Sequence, residues 1–146
     1  EASYDAGAAR SIGVSNFVQS DFEALQKTAR HWPPALNQAS LSVGYHDDAT
    51  ISYCDAHNIT YMGYSPLCGG ANGSSCRHGS VLGIPAVKSI AAAHKVSAAQ
   101  VALKWIVQQG RPLATAVWRA DYIAEDLDLW SWGNLTQREM EVLRTV

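Results

Sequence analysis

Three short apolar runs of the chain each end in polar side chains that could hold a small ligand. Ser15 and Asn16 end the first run, Gln38 ends the second, and Tyr64 and Ser65 end the third. Hydroxyl and amide groups offer neutral donors and acceptors, whereas a tyrosine ring offers a flat apolar surface. A parallel α/β barrel carries its chemistry where its strands end. The pattern therefore predicts a site for a nucleotide or another small substrate.

The elements that must position these side chains alternate along the chain, which indicates a parallel α/β fold. The predicted strands cover residues 12–15, 35–39, 59–64 and 113–117. The predicted helices cover residues 20–31, 47–57, 85–95, 98–109 and 121–127, and a last helix follows residue 136.

Capping residues define several of these helices. Ser20 with Glu23 and Thr136 with Glu139 have the spacing of capping boxes, and Ser97 is placed to cap another helix. With helices beginning at these positions, the polar ends of the strands lie between amphipathic helices.

Composition excludes some classes of protein. The chain has 146 residues, of which 47% are hydrophobic and 16% are charged, so we expect a single domain over residues 1–146. The net charge of -2 and the absence of a Lys/Arg cluster argue against a nucleic-acid partner. The apolar runs are too short to span a membrane, and residues 1–10 show no targeting segment. We expect a location inside the cell rather than secretion, although the compartment is not identified.

The three cysteines favour free thiols. Cys54, Cys68 and Cys76 are odd in number and have no regular spacing, which argues against a disulfide framework. Cys68 and Cys76 with His78 match no zinc pattern, so no metal site is predicted.

Four strings together resemble the aldo-keto reductases. They are Ile-Gly-Val-Ser-Asn-Phe at 12–17, Leu-Asn-Gln at 36–38, Tyr-Ser-Pro-Leu at 64–67 and Ala-Gln-Val-Ala-Leu-Lys-Trp at 99–105. That family consists of (β/α)8 barrels that reduce aldehydes and ketones with NADPH. The resemblance implies a partial TIM (β/α)8 barrel, about the last four β/α units plus a C-terminal helix. The family's catalytic Asp, Tyr, Lys and His belong to the other half of the barrel, so no catalytic residue is assigned here.

The resemblance implies seven cofactor-binding residues, which are Ser15, Asn16, Gln38, Tyr64, Ser65, Leu67 and Glu125. The first three would hold the nicotinamide carboxamide, and the tyrosine would lie flat against the nicotinamide ring. The second serine and the leucine would line the pyrophosphate, and the glutamate matches a family position at the adenosine end. The implied cofactor is NADP or NAD.

The adenosine end departs from the family pattern. Ala116, Val117 and Tyr122 stand where the family carries Lys, Ser and Arg, and Asp126 replaces an Asn. The nearest cation along the chain is Arg119. A 2′-phosphate loses its charge-assisted contacts, each worth about 1.5–3 kcal/mol. Either NADH has replaced NADPH, or cofactor binding has decayed.

Half of a barrel leaves strand edges and an apolar face open, so we expect a protein partner. The missing half could belong to the same precursor or to another chain, two copies could associate, or the face could dock on a larger assembly. Two functions follow. One is an NAD(P)H-dependent aldo-keto reductase that is inactive as this chain alone, and the alternative is a non-catalytic accessory or scaffold subunit. The carbonyl substrate cannot be named from the sequence.

Overall fold

The computed structural model describes residues 1–69 and 79–146. Its strands are β1 (Val14–Ser15), β2 (Leu36–Ser40), β3 (Thr60–Tyr64) and β4 (Leu113–Ala114). Its helices are α1 (Ala2–Asp5), α2 (Gln19–Gln26), α3 (Asp48–Ala56), α4 (Pro85–His94), α5 (Ala98–Val107), α6 (Ala120–Leu127) and α7 (Gln137–Arg144), with a 3-10 turn at Val81–Gly83. The four strands are hydrogen-bonded in the order β1-β2-β3-β4. The predicted alternation of strands and helices is confirmed.

The chain divides into two compact units. The first comprises residues 1–39 and 47–62, and the second comprises residues 40–46 and 63–146. A single domain over residues 1–146 stays a prediction.

The first unit is built on the parallel pair β1 and β2. Val14 pairs with Asn37, and Ser15 pairs with Gln38. The core of this unit contains Phe22 of α2, whose side chain is fully buried and whose ring stacks on Tyr53 of α3 at 5.2 Å between centroids. Aromatic pairing of this kind adds to the apolar area that the two helices bury.

The second unit contains the parallel pair β3 and β4. Gly63 pairs with Leu113, and Tyr64 pairs with Ala114. A Cβ atom at Gly63 would lie 3.0 Å from the Leu41 Cβ, so a glycine permits this close approach. Strand β4 is shorter than the predicted 113–117 because β3 ends at Tyr64, and no further β3 residue is available to pair with it.

The predicted start of α2 is wrong. Val18, and not Ser20, is the N-terminal capping residue, and its N–H donates to the Asp21 carboxylate at 3.0 Å. The helix also ends at Gln26, before the predicted residue 31. The Glu1 carboxylate accepts the N–H groups of residues 30 and 31 at 2.7 and 2.9 Å, which replaces helical hydrogen bonds.

The predicted caps of the later helices are confirmed. Ser97 Oγ accepts the Gln100 N–H at 3.0 Å, and Gln100 Oε1 accepts the Ser97 N–H at 3.0 Å. Thr136 and Glu139 form the same reciprocal pair at the start of α7. These boxes fix the start of both helices in the second unit.

A buried lysine connects α5 to the loop that follows α6. Lys104 is 1% exposed, and its Nζ donates to the Leu129 carbonyl oxygen at 2.6 Å. The ammonium also lies 4.7 Å and 5.0 Å from the ring centroids of Trp130 and Trp132. Burial lowers the pKa of Lys104. The carbonyl and the two rings partly replace the hydration that the cation loses.

The prediction of free thiols is wrong for Cys68, which is disulfide-bonded, whereas Cys54 is a buried thiol outside any disulfide. Cys76 and His78 lie outside the described residues. An odd number of cysteines with irregular spacing does not exclude a disulfide, which was the error in that interpretation. Disulfides are uncommon in reducing compartments, so a location inside the cell stays a prediction.

Metal-binding clusters and membrane-spanning helices are both absent from the described residues. Within residues 1–69 and 79–146, no group of three or more His, Cys, Asp or Glu side chains is arranged to hold a metal ion. Among the helices in the same part of the chain, none is long and apolar enough to cross a bilayer.

We expect the cap of α7 to make stability depend on pH. Burial alone would raise the pKa of the Glu139 carboxyl, but bonds from Thr136 and His94 hold the pKa below its ordinary value. A carboxyl with a lowered folded-state pKa stabilises the fold above its unfolded pKa of about 4.3, and this contribution is lost as the pH falls through the folded pKa. Between about pH 6 and pH 3, the wild-type protein should therefore lose more free energy of unfolding than Glu139→Gln. Urea titrations across that range test the difference.

Glutamine is the matched replacement because it keeps the oxygen that caps the helix but does not titrate. Equal pH dependence in the two proteins would contradict the assignment of the lowered pKa to Glu139.

Candidate functional site

The turn that follows β1 places Ser15 and Asn16 against the backbone carbonyl of Gln38. Ser15 Oγ donates to the Gln38 carbonyl oxygen at 2.8 Å, and the Asn16 N–H donates to the same oxygen at 3.0 Å. Asn16 Nδ2 donates to Ser15 Oγ at 3.1 Å. Asn16 has a φ of 59°, a left-handed conformation that asparagine tolerates better than most residues. We call Ser15, Asn16 and Gln38 the amide cluster.

Asn37 holds the turn that carries the amide cluster. Its side chain is fully buried, its Oδ1 accepts the Phe17 N–H at 3.2 Å, and its Nδ2 donates to the Phe17 carbonyl oxygen at 2.9 Å. Both backbone groups of Phe17 are thereby satisfied by one side chain. The sequence interpretation included Asn37 in a motif but gave it no role. A structural role for it could have been inferred from the sequence, because this amide occupies a strand position whose neighbours on the same face are apolar.

The amide cluster is chemically suited to a neutral amide ligand. All three side chains are uncharged, and an amide ligand offers both donors and an acceptor. Gln38 Nε2 lies 3.6 Å from the Met62 sulfur, which is a weak acceptor. A ligand carbonyl oxygen would be a stronger acceptor for that N–H group. The cluster therefore fits a carboxamide.

The second unit contains a cavity of about 870 Å³ at the carboxyl ends of β3 and β4. Its wall includes all four predicted site residues of this unit, which are Tyr64, Ser65, Leu67 and Glu125. The four positions that depart from the family pattern also line it, namely Ala116, Val117, Tyr122 and Asp126. The structure thus brings every predicted site residue of the second unit to one cavity.

Backbone geometry directs the chain around this cavity. Ser65 follows β3 directly and has a φ of 51°, which ends the extended conformation. The Cys68 N–H donates to the Ser65 carbonyl oxygen at 3.0 Å, which closes a tight turn. Tyr64, Ser65 and Leu67 are half-buried, so each still presents surface to the cavity.

The cavity wall is acidic in the part of the chain that the structure describes. Glu125 and Asp126 line the cavity, and no Lys, Arg or His among residues 1–69 and 79–146 does so. Burial raises the pKa of Asp126, the negative charge of Glu125 raises it further, and a hydrogen bond from Thr115 opposes the shift. A raised carboxyl pKa indicates that additional negative charge is unfavourable at this position.

The nearest cation along the chain is already engaged. Arg119 Nε donates to Asp121 Oδ1 at 3.0 Å, and a second, shorter contact joins Arg119 Nη2 to the same carboxylate. The guanidinium also lies 4.2 Å from the centroid of the Tyr122 ring. A phosphate group in this cavity would find no cationic partner among the described lining residues.

Comparisons with known proteins identify the class. The sequence profile of the Aldo/keto reductase family matches residues 1–146, and the chain belongs to this family. Bifunctional protein STORR of Papaver somniferum is 36% identical over 135 residues, which are 92% of this chain and 14% of that protein. NADPH-dependent codeinone reductase 1-4 of Papaver somniferum is 33% identical over 140 residues, covering 96% of this chain and 42% of that protein.

Solved structures show the same fold. The apo form of Gox0644 superposes with a TM-score of 0.86 at 26% identity, over 98% of this chain and 49% of that one. A mutant of that protein has been solved with NADPH. An aldo-keto reductase from a Medee basin deep-sea metagenome library gives a TM-score of 0.87 at 24% identity, over 98% of this chain and 50% of that one. The predicted α/β class and partial barrel are confirmed. The chain spans less than half the length of the curated relatives described above.

We expect Asn37→Leu to destabilise the turn that carries the amide cluster. The substitution leaves the Phe17 N–H and carbonyl without their side-chain partner, so the free energy of unfolding should fall by about 1–3 kcal/mol. Urea unfolding measures the loss, and amide hydrogen exchange should show lower protection at Phe17. The exposed Asn134 provides the control, and an equal loss in Asn134→Leu would contradict this role of Asn37.

Proposed function

We propose that this chain forms the nucleotide-binding part of an NAD(P)H-dependent carbonyl reductase. The observation that carries the proposal is the amide cluster, in which Ser15 and Asn16 share a side-chain hydrogen bond and both donate to the Gln38 carbonyl oxygen, where β1 pairs with β2. Membership of the Aldo/keto reductase family supports it, because the position of that cluster is where a barrel of this kind places its chemistry.

The amide cluster has the role of holding a nicotinamide carboxamide. Gln38 donates from Nε2 to the ligand carbonyl oxygen, which is a better acceptor than the Met62 sulfur. Ser15 and Asn16 add exposed hydroxyl and amide groups on the same turn. Asn37 acts as a positioning residue because it holds the backbone of that turn.

The cavity of the second unit has the role of binding a nicotinamide nucleotide. Tyr64 offers its ring to the nicotinamide, while Ser65 and Leu67 line the path of the pyrophosphate. Glu125 lies at the adenosine end, where a carboxylate accepts hydrogen bonds from ribose hydroxyls. Each of these residues lines the cavity, which supports the proposed roles.

The proposed reaction is the reduction of an aldehyde or ketone. A bound reduced nicotinamide supplies a hydride to the carbonyl carbon. The amide cluster would hold the carboxamide of the nicotinamide. The acid that protonates the carbonyl oxygen belongs to the complementary half of the barrel, so this chain alone does not turn over substrate.

The proposed partner is therefore that complementary half, carried on the same precursor or on another chain. Helix α6 buries none of its residues in the described structure. Leu127 and Trp118, which precedes the helix, are 74% and 90% exposed. Large apolar side chains that are this exposed favour a protein contact.

A non-catalytic accessory role is the second candidate. The acidic wall of the cavity favours it, because two carboxylates without a cation among the described lining residues are a poor match for a phosphorylated cofactor. Nucleotide binding distinguishes the two functions, since an accessory subunit has no need of it.

We expect NADH to quench tryptophan fluorescence of the protein, prepared with any partner that copurifies, with a dissociation constant in the micromolar range. Gln38→Met removes the amide but keeps the length of the side chain, and should weaken binding about fivefold to tenfold, the value of one lost hydrogen bond. Gln19→Met is the matched control, because Gln19 is exposed on α2 of the same unit.

If neither NADH nor NADPH binds, the reductase proposal is contradicted and the accessory role is favoured. Equal weakening by both glutamine substitutions would remove the amide cluster from the binding site.

We also expect the isolated chain to show no NADH-dependent reduction of an aldehyde such as a substituted benzaldehyde. Activity should appear when the complementary half is restored, because that half carries the acid. Absorbance at the nicotinamide band records both measurements, and turnover by a homogeneous preparation of the chain alone would contradict the proposed division of roles.

A further inference from the structure

Two carboxylates give the cavity of the second unit an acidic wall. Glu125 and Asp126 are neighbours on α6, and both line the cavity. Both are half-buried, so water screens them less than it screens exposed carboxylates. Burial and the charge of Glu125 raise the pKa of Asp126, which reflects the difficulty of adding negative charge here.

Within residues 1–69 and 79–146, the positive groups near the cavity along the chain are engaged elsewhere or weak. Arg119 is paired with Asp121 and lies over the Tyr122 ring. The N-terminus of α5 lines the cavity at Ser97, and its capping box occupies the Ser97 and Gln100 N–H groups. The remaining partial charge of a helix terminus is about half a unit and serves a pyrophosphate equally well in either nucleotide.

The two carboxylates suit a ligand that donates hydrogen bonds. A carboxylate accepts strongly from hydroxyl groups, and an acidic residue that bonds a ribose 2′-hydroxyl is a general device for selecting NAD over NADP. Thr115 already donates to Asp126, which shows that this carboxylate is placed as an acceptor at the cavity wall.

We infer that the cavity accepts a nicotinamide nucleotide with a free 2′-hydroxyl and rejects the 2′-phosphate form. The inference rests on the proposed function, since it concerns the same site. NADH and NADPH differ only in the 2′-phosphate, so a comparison of the two isolates this interaction from the shared pyrophosphate and nicotinamide.

The test is an equilibrium titration of the protein, with any copurifying partner, against NADH and against NADPH at low salt. NADH should bind at least about tenfold more tightly than NADPH, which corresponds to about 1.4 kcal/mol. The preference should shrink as salt is added, because screening weakens repulsion between partly exposed charges.

Two variants, each of which removes one negative charge, make the test more specific. Asp126→Asn keeps an oxygen that can accept from Thr115 but removes the negative charge, and should reduce the preference for NADH at least about threefold. Asp128→Asn removes one charge outside the cavity, where Asp128 is exposed, and should leave the preference unchanged.

The outcomes separate this inference from the proposed function. NADPH binding as tightly as NADH, or more tightly, overturns the inference and leaves the proposed nucleotide site standing. An unchanged preference in Asp126→Asn, or an equal change in Asp128→Asn, also overturns it. Absence of binding by both nucleotides overturns the inference and the proposed function together.

Discussion

The backbone groups at the carboxyl ends of short parallel strands must find hydrogen-bond partners, and this constraint shapes the candidate site. β1 contains only two residues, so the ladder to β2 ends almost where it starts. The Gln38 carbonyl oxygen continues it by accepting from both Ser15 and Asn16, and Asn37 satisfies Phe17 beyond it. Polar side chains are consequently gathered at the strand ends for structural reasons first, and the proposed nucleotide site would use groups that the fold already requires.

Charged side chains in the interior of the second unit have compensating partners that the carboxylates at its cavity lack among the described lining residues. Lys104 is nearly inaccessible to water, yet a carbonyl and two indole rings surround its ammonium. Glu125 and Asp126 receive no comparable compensation from a cation among the described lining residues. Arg119, close in sequence, is held by Asp121 instead. Lys104 and Arg119 are therefore compensated by local partners, whereas the described cavity wall carries two carboxylates.

Local patterns were predictable from the sequence, and contacts between distant segments were not. The capping box of Thr136 and Glu139 needs only residues three apart, so its spacing was sufficient. The end of α2 depends on Glu1, a residue remote in sequence, and could not be predicted from the helix itself. The cluster at Ser15 was recognisable as a motif, whereas the supporting role of Asn37 appeared only once its burial and its bonds to the next turn were known.

Helix α6 breaks a local rule at the place where the candidate site lies. Glu125 and Asp126 occupy its C-terminal half, no basic residue lies in its last turn, and carboxylates near that end oppose the helix dipole. Native sequences violate such rules mainly at functional sites, where a ligand or partner supplies what the chain does not. Ribose hydroxyls would supply hydrogen bonds to these carboxylates without adding charge, whereas a phosphate would increase the repulsion. The unfavourable placement of the two acids is thus intelligible as the basis of a site that accepts an uncharged ribose edge.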